Sequence, residues 1–363
     1  MNSRVLIPAV GLMMVGLVAV YTASMPLALT RYDSEYYFVF RQLLWMAVGL
    51  VAFFAASRFS LKFWKMIAPV AFLTLLVVLG VMDLAGIASV HKGAGRWIRL
   101  GPLNIQPSEF ARPVFVLLLA KLLSSQMFRE DRPPADRYVT LMGVSGLLII
   151  LVGAQPDFGG AVLLGLVLLV FLWLSGAPWQ LLTGVCGAGA IVAWQVIISS
   201  PYKRGRVLAF LDPWADAQAY GFQLVQSYLA LGSGGLTGRG LGLGVQKLFY
   251  LPEAHTDFIL AVIGEEVGLV GTLLVLALTG WLLFEIWRLA TRCTTDAFAR
   301  YVVTGALLLF GFAALINLAV VTGLAPTKGI ALPFVSYGGS TLVASLGLLG
   351  ILHRIERDLG GVA

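Results

Sequence analysis

The sequence predicts an all-α, polytopic membrane protein of about ten transmembrane helices, with a long extracytoplasmic loop between helices 7 and 8. Three observations predict it. Of 363 residues, 59% are hydrophobic and only 12% charged, with a mean hydropathy of +0.90, whereas a soluble domain carries roughly a quarter charged residues. Apolar runs of the roughly 20 residues that a helix needs to cross a hydrocarbon core of about 30 Å follow one another along the chain. Those runs are continuous, unlike the roughly 10-residue alternation of membrane strands. The same composition excludes a disordered chain and a nucleic-acid binder, and Cys186 and Cys293 are expected as free thiols.

In chain order the apolar runs lie near Val5–Ser24, Phe38–Ser57, Phe63–Met82, Ser108–Ser124 and Tyr138–Ala154, then near Phe158–Ser175, Trp179–Ile198, Phe258–Ala290, Tyr301–Thr322 and Gly338–His353. The first follows Arg4 and resembles a signal peptide. It is longer than an h-region and no small-x-small site closes it, so it reads as a retained span. The eighth run is long enough to tilt or bend. The whole of 1–363 reads as a single transmembrane domain whose long outer loop covers about 199–256.

Short connections carrying Lys and Arg set the orientation. With the N-terminus inside, the inner segments hold Arg58, Lys62 and Lys65, then Lys121, Arg129, Arg132 and Arg137, then Arg288, Arg292 and Arg300, and finally Arg354 and Arg357. Both termini are therefore expected in the cytoplasm. Two outer connections break the bias: Lys92, Arg96 and Arg99 in one, and Lys203, Arg204, Arg206, Arg239 and Lys247 in the long loop. Basic residues kept on the outer face point to an anionic ligand.

The long loop shifts to Gly, Pro, aromatic and charged residues, and loops of this length are usually functional. Gly221–Leu231 suits a short helix or re-entrant piece. The tract from Leu231 to Gly244 holds seven glycines in its fourteen residues, so it is either a flexible hinge or bare backbone that approaches a ligand. It lacks the Gly-Lys-Ser/Thr ending of a phosphate loop, so no nucleotide is expected.

Ionisable residues near or within the membrane are few and costly, which makes each a candidate. Leu251-Pro-Glu-Ala-His-Thr-Asp257-Phe leads into the eighth run. Asp257 there is either a helix cap or a general base, which partial desolvation would favour; His255 is a ligand contact or a hydrogen-bonded structural residue. Asn104-Ile-Gln-Pro-Ser-Glu109-Phe-Ala-Arg112 puts Glu109 and Arg112 on one helical face, as a neutralised pair or a site. Asp157 opens the sixth run, and Asp157 with Asp257 is the expected holder of a divalent cation, Mg or Mn. Glu265 and Glu266 lie about 12 to 14 Å along the eighth helix from Asp257. Inside the bilayer they would need a partner, for which Lys121 and Arg112 are the expected cations. The run from Pro326 to Thr341 holds Ser336, Gly338, Gly339 and Ser340, a setting for clustered backbone amides that suits an anion or, equally, a tight turn with a cap.

Taken together, Arg96-Trp-Ile-Arg-Leu-Gly-Pro with Gln106-Pro-Ser-Glu109, then Pro156-Asp-Phe-Gly159, then Leu251-Pro-Glu-Ala-His-Thr-Asp257-Phe, then Leu332-Pro-Phe-Val-Ser-Tyr-Gly-Gly-Ser340 resemble the SEDS family of bacterial cell-wall polymerases. They occur in order over nearly the whole chain. Within the family, Pro326-Thr-Lys-Gly329 and the Glu-Ala-His-Thr stretch look more like the division branch than the elongation branch.

The resemblance implies a ten-helix peptidoglycan glycosyltransferase of the bacterial inner membrane, acting on lipid II and undecaprenyl-diphosphate-linked glycan at the division septum. It implies that Asp257 is essential. It also implies a class B penicillin-binding protein as partner, alongside other divisome membrane proteins. Arg112 and Gln155 depart from the lysine and glutamate expected there. Residue chemistry adds Lys203, Arg204 and Arg206 as candidates for the diphosphate, with Glu109, Arg112, His255, Ser336 and Ser340 as further substrate contacts. A lipid II flippase is the alternative that the buried charges suggest, and a non-catalytic scaffold is a third.

Overall fold

The computed structural model describes residues 4–85, 89–91, 94–100, 103–125 and 135–360; Lys92, Arg129 and Arg132 lie outside the described residues. The helices are α1 (Leu6–Tyr32), α2 (Tyr37–Arg58), α3 (Leu61–Ala85), α4 (Pro107–Leu123), α5 (Ala135–Ala154), α6 (Phe158–Leu174), α7 (Trp179–Ile198), α8 (Pro201–Leu211), α9 (Phe222–Gly234), α10 (Ile259–Arg292), α11 (Ala297–Val321) and α12 (Gly339–Gly360). Ten of these coincide with the ten apolar runs, and α8 and α9 fill part of the long loop. The first run continues past Ser24 to Tyr32, carrying Pro26 inside the helix.

Between α3 and α4, where a plain connection was expected, the chain forms a small antiparallel sheet: β1 (Ser89–His91), β2 (Ala94–Leu100) and β3 (Leu103–Ile105) in the order β1-β2-β3. Trp97 lies opposite Ser89 and Arg99 opposite Asn104. Hydropathy marks this stretch as outside the lipid but says nothing about pairing, which depends on long-range register.

Among the described residues, seven helices (α1, α2, α3, α5, α7, α10 and α11) are long and apolar enough to cross a membrane. The three others among the ten are short of that for a reason that shapes the site. Helices α4 and α6 have 17 residues each, about 25 Å at 1.5 Å per residue against a core of about 30 Å. Helix α12 turns polar at His353 and Arg354. It runs parallel to α2: a Cβ at Gly339 would meet the Trp45 indole, Leu346 packs on Gly49, and Gly350 packs on Phe53 and Ala56. Trp45 is about 12 Å into α2 from Tyr37, so α12 begins well below the end of its neighbour. The segment leading to it reaches the middle of α1, where a Cβ at Gly16 would lie 2.6 Å from the Val335 carbonyl oxygen. Short helices starting deep leave a polar recess at the end of the bundle expected to face outward, here called the mouth.

Packing follows from lipid as solvent. Phe53, Phe115, Phe171 and Phe298 are fully buried between helices, whereas Phe40, Val51, Leu73 and Val77 stay exposed on the perimeter, which costs nothing against acyl chains. Helix α7 stands at the edge, with none of its apolar window buried.

Helix α10 is broken. Gly268 has φ 71° and ψ −161°, a conformation open only to glycine. The break orphans backbone groups on both sides, and the glycine tract after α9 satisfies them. Arg239 and Gly240 donate their N–H groups to the carbonyls of Glu265 and Glu266, at 2.9 and 3.0 Å. In return Leu269 and Val270 donate to the carbonyls of Gly235 and Leu236, at 3.0 and 3.2 Å. Such contact needs bare backbone: a Cβ at Gly238 would sit 2.2 Å from the Glu266 carbonyl oxygen, and one at Gly234 would sit 1.9 Å from that of Gly264. Residues 235–240 of the tract are employed in these backbone bonds. They splint a helix break, the one setting in which irregular backbone survives inside a membrane bundle.

This corrects the expected partners of the paired acids. Lys121 lies in the last turn of α4, away from the mouth, and Arg112 is held by Glu109 on its own helix. Instead Lys247 comes in from the loop and meets Glu266 at 2.6 Å, with both side chains 2% exposed. Glu265 accepts the N–H groups of Val245 and Gln246, at 2.8 and 3.1 Å, and lies 3.8 Å from Arg239. Beyond the break, Leu269–Arg292 is about 36 Å long and spans a hydrocarbon core alone. The acids thus lie just ahead of the break, buried and paired with groups of the loop.

A side chain at the break should be tolerated poorly. Gly268→Val would force a β-branched residue to positive φ with its Cβ 2.4 Å from the Gly238 nitrogen, costing about 2 kcal/mol. The apparent melting temperature in detergent should drop by several degrees, while Gly280→Ala, with open space around it, should leave it unchanged.

Candidate active site at the mouth

Three helix starts and one loop build the recess. Asp157 caps α6, accepting the Gly160 N–H at 3.0 Å through Oδ1 while its Oδ2 accepts the Ser108 hydroxyl at 3.0 Å. Ser340, in the first turn of α12, accepts the Gln106 N–H at 2.9 Å, and the Gln106 side chain donates to Ser108. These bonds tie the N-termini of α4, α6 and α12 together. Ser336 accepts the Leu332 N–H at 2.9 Å, closing the turn below. Ser336 and Ser340 are thus employed as turn and tie, the plainer of the two readings open from sequence.

Beneath this layer Glu109 and Arg112 form the expected pair at 2.6 Å, with side-chain exposures of 8% and 13%. A cavity of about 20 Å³, large enough for a water, lies beside them, lined also by Pro333, Thr341 and Ser345.

Asp257 sits above. It does not cap α10: the N-cap is Phe258, without a side-chain capping bond. The carboxylate is half-buried and lies against the backbone of Gly329, where a Cβ would come 2.6 Å from Oδ2. Asn317 of α11 donates to the main-chain carbonyls of both Asp257 and Ile330, each at 2.8 Å, and so locks the two segments together. His255 is enclosed by rings, 4.9 Å from Phe38 and 5.5 Å from Tyr337, and its carbonyl accepts the Tyr337 N–H.

The basic residues converge on one ring. The Lys203 ammonium of α8 lies 4.4 Å from the centroid of Phe158, and that of Lys328 lies 5.6 Å from the same centroid. Desolvation and the neighbouring Lys203 push the Lys328 ammonium below the ordinary lysine value. Arg206, one helical turn on from Lys203, donates to the Thr327 carbonyl and to Gln223. Arg204 points off this face and is exposed. Among the described residues neither lysine has a carboxylate in ion-pair range. Two like charges gathered on one ring, Lys203 half-buried and Lys328 exposed at the surface, make a site open to an anion.

The expected cation pair fits less well. Both oxygens of Asp157 are engaged within the cap, and among the described residues no group of three His, Cys, Asp or Glu side chains is positioned to hold a metal. The donor set falls short of the six or so oxygens that Mg or Mn takes. Lys328, Phe158, Gly329 and Asn317 are the site residues that sequence reasoning did not select. Lys328 and Gly329 were visible in the Pro-Thr-Lys-Gly motif and Phe158 follows Asp157, but only the fold brings them beside Asp257.

A bundle of membrane-crossing helices with a charged recess built by short helices and returning loops defines a multi-pass membrane protein with a site at the lipid–water boundary. The chain belongs to the FtsW/RodA/SpoVE family of cell cycle proteins, whose model matches residues 3–360. It is 39% identical over 361 residues to a probable peptidoglycan glycosyltransferase FtsW of Geobacter sp. (strain M18), covering 99% of this chain and 97% of that protein. It is 40% identical over 353 residues to the protein of the same description from Thioalkalivibrio sulfidiphilus, covering 94% and 86%. Among solved structures it superposes with TM-score 0.74 and 30% identity on a chain from a peptidoglycan synthase complex that coordinates polymerization and crosslinking, covering 94% and 96%. The rod shape determining protein RodA of Thermus thermophilus gives TM-score 0.72 at 26% identity, covering 98% and 96%.

The lysine pair has a measurable consequence. In Lys203→Met the Lys328 ammonium loses its repelling neighbour, and its titration should move up toward the ordinary lysine value. The pH dependence of amine labelling at Lys328 reads this, and an unmoved midpoint would show that the two charges do not interact.

Proposed function

We propose that this chain polymerises lipid II into glycan strands by inverting glycosyl transfer, with Asp257 as the general base. The observation that carries the reading is a half-buried carboxylate pressed against Gly329 in a recess whose neighbouring wall holds Lys203 and Lys328 on Phe158. The family and the relatives' descriptions support it.

The reaction calls for these parts. The 4-hydroxyl of the acceptor's terminal N-acetylglucosamine attacks the anomeric carbon of the donor glycan. The bond to undecaprenyl diphosphate breaks with its electron pair, and the hydroxyl proton passes to the Asp257 carboxylate. An α-linked donor and a β-linked product mean one displacement, needing a base on one face and a stabilised leaving group on the other. Lys203, Lys328 and Arg206 supply positive charge for the departing diphosphate, and partial exclusion of water strengthens that attraction. Glu109 and Arg112, buried below, support the floor of the recess.

Substrate and product both keep a polyprenyl tail in the bilayer, which calls for a site at the end of the bundle, within reach of the lipid. The chain is assigned to the bacterial inner membrane with both termini cytoplasmic and the recess outside. Its motifs and its relatives' names favour the division branch, hence the septum, with a class B penicillin-binding protein crosslinking the strands and other divisome membrane proteins around it. The flippase alternative drew on the charges of Glu265 and Glu266, and these are tied into the splint around α10.

Asp257→Asn, folded and paired with its partner, should lose at least about 100-fold in glycan synthesis from lipid II, read as polymer on a gel; near-normal polymer would remove the base assignment. Lys203→Met with Lys328→Met should raise KM for lipid II several-fold while leaving the melting temperature unchanged, and unaltered kinetics would remove the diphosphate assignment.

A further inference from the structure

We propose that the Lys247–Glu266 ion pair is a clip that positions Asp257, which makes both side chains positioning residues for the glycosyl transfer; the inference rests on the reading of Asp257 as base. The pair joins the two ends of a 20-residue excursion. From Lys247 the chain leaves the glycine tract, passes through the turn that holds Asp257, enters the first turns of α10 and returns at Glu266. Nζ and Oε1 meet at 2.6 Å with each side chain 2% exposed.

Three features make this a positioning device and not an ordinary stabilising contact. First, the bonds made by the backbone within the turn hold its interior: Leu251 donates to the Gln246 carbonyl, Thr256 and Phe258 both donate to that of Glu253, and Tyr337 and Asn317 donate to the carbonyls of His255 and Asp257. They shape the excursion without fixing its ends. Second, the excursion contains two non-glycine residues at positive φ, Phe249 at 68° and Glu253 at 57°. Such residues persist only where the surroundings hold them. Third, two charges buried together add little net stability over apolar residues of the same size, but they do fix a register, since Lys247 reaches Glu266 only when the excursion has one length and one path. Glu265 holds the same end through the N–H groups of Val245 and Gln246.

The tolerance at the far side of the excursion is small. Asp257 Oδ2 rests on the bare backbone of Gly329, where a Cβ would come within 2.6 Å of it and push the carboxylate aside. A carboxylate displaced by about 1 Å loses the alignment that a proton transfer needs, a cost of roughly 100-fold in rate.

The test uses the full chain with its penicillin-binding partner and lipid II. Lys247→Met combined with Glu266→Leu removes both charges, so neither is left buried alone. Its melting temperature should match the parent, its kcat should fall roughly 100-fold with KM changed less than about threefold, and amide exchange over residues 249–258 should rise about tenfold. Exchanging the charges, Lys247→Glu with Glu266→Lys, should restore much of the lost kcat. The inference fails if the apolar variant keeps parental kcat, if kcat falls with exchange over 249–258 unchanged, or if neither variant folds, since the pair would then serve folding alone. Asp257→Asn run in parallel separates the two readings. Full activity there overturns the base assignment itself, whereas an inactive Asp257→Asn beside a fully active apolar variant overturns only the clip.

Discussion

A helix that stops inside a bundle leaves N–H and C=O groups with no water to turn to, and the rest of this structure depends on how that demand is met at Gly268. The glycine tract between α9 and the Asp257 turn meets it with four backbone bonds across the break. Because its bonding groups must come within reach of another backbone, residues such as Gly234 and Gly238 cannot carry side chains. Once the tract is fixed there, the chain that follows is committed to return along α10, and Asp257 is delivered to the mouth. The break also separates the part of α10 that spans from the part that belongs to the recess.

The recess is assembled by economy of length. Helices α4 and α6, at 17 residues each, are at the short end of what crosses a bilayer, and α12 begins partway down α2. Their N-termini accordingly meet below the mouth, where Asp157, Ser108, Gln106 and Ser340 satisfy one another. Partial positive charge at such helix ends adds to that of Lys203, Arg206 and Lys328, so the recess attracts anions from several sides. A carboxylate and a cationic wall in one half-desolvated space are what the proposed displacement of a diphosphate would require. The acids at this end of α10 divide by position: Glu265 and Glu266 are buried in α10 and paired within the splint, and Asp257 lies half-buried in the turn before the helix.

The helices were legible in sequence because a membrane span is a one-dimensional signal: twenty apolar residues read the same wherever they lie. Asp257, Glu109 with Arg112, and Lys203 with Arg206 were legible because ionisable groups near lipid are costly and so stand out singly. Partnerships were another matter. Lys247 and Glu266 lie 19 positions apart, and nothing in their local spacing prefers that pairing over Lys121. Lys328 was quoted within a motif and Phe158 within another, and their meeting with Lys203 required three segments to converge. The strands between α3 and α4 were missed because hydropathy registers exclusion from lipid and is blind to pairing.

Composition and hydropathy by themselves determined that this chain is a helical membrane protein, where its spans run and which carboxylate stands at the end of a span, because solvation acts on each residue where it is. Tertiary structure alone decided which cation neutralises which acid, that Asp157 is spent as a cap, and that Asp257 lies against Gly329 instead of capping α10. Those outcomes depend on distances between segments remote in sequence, and in a low-dielectric interior a few ångströms decide whether two charges form a pair or a site.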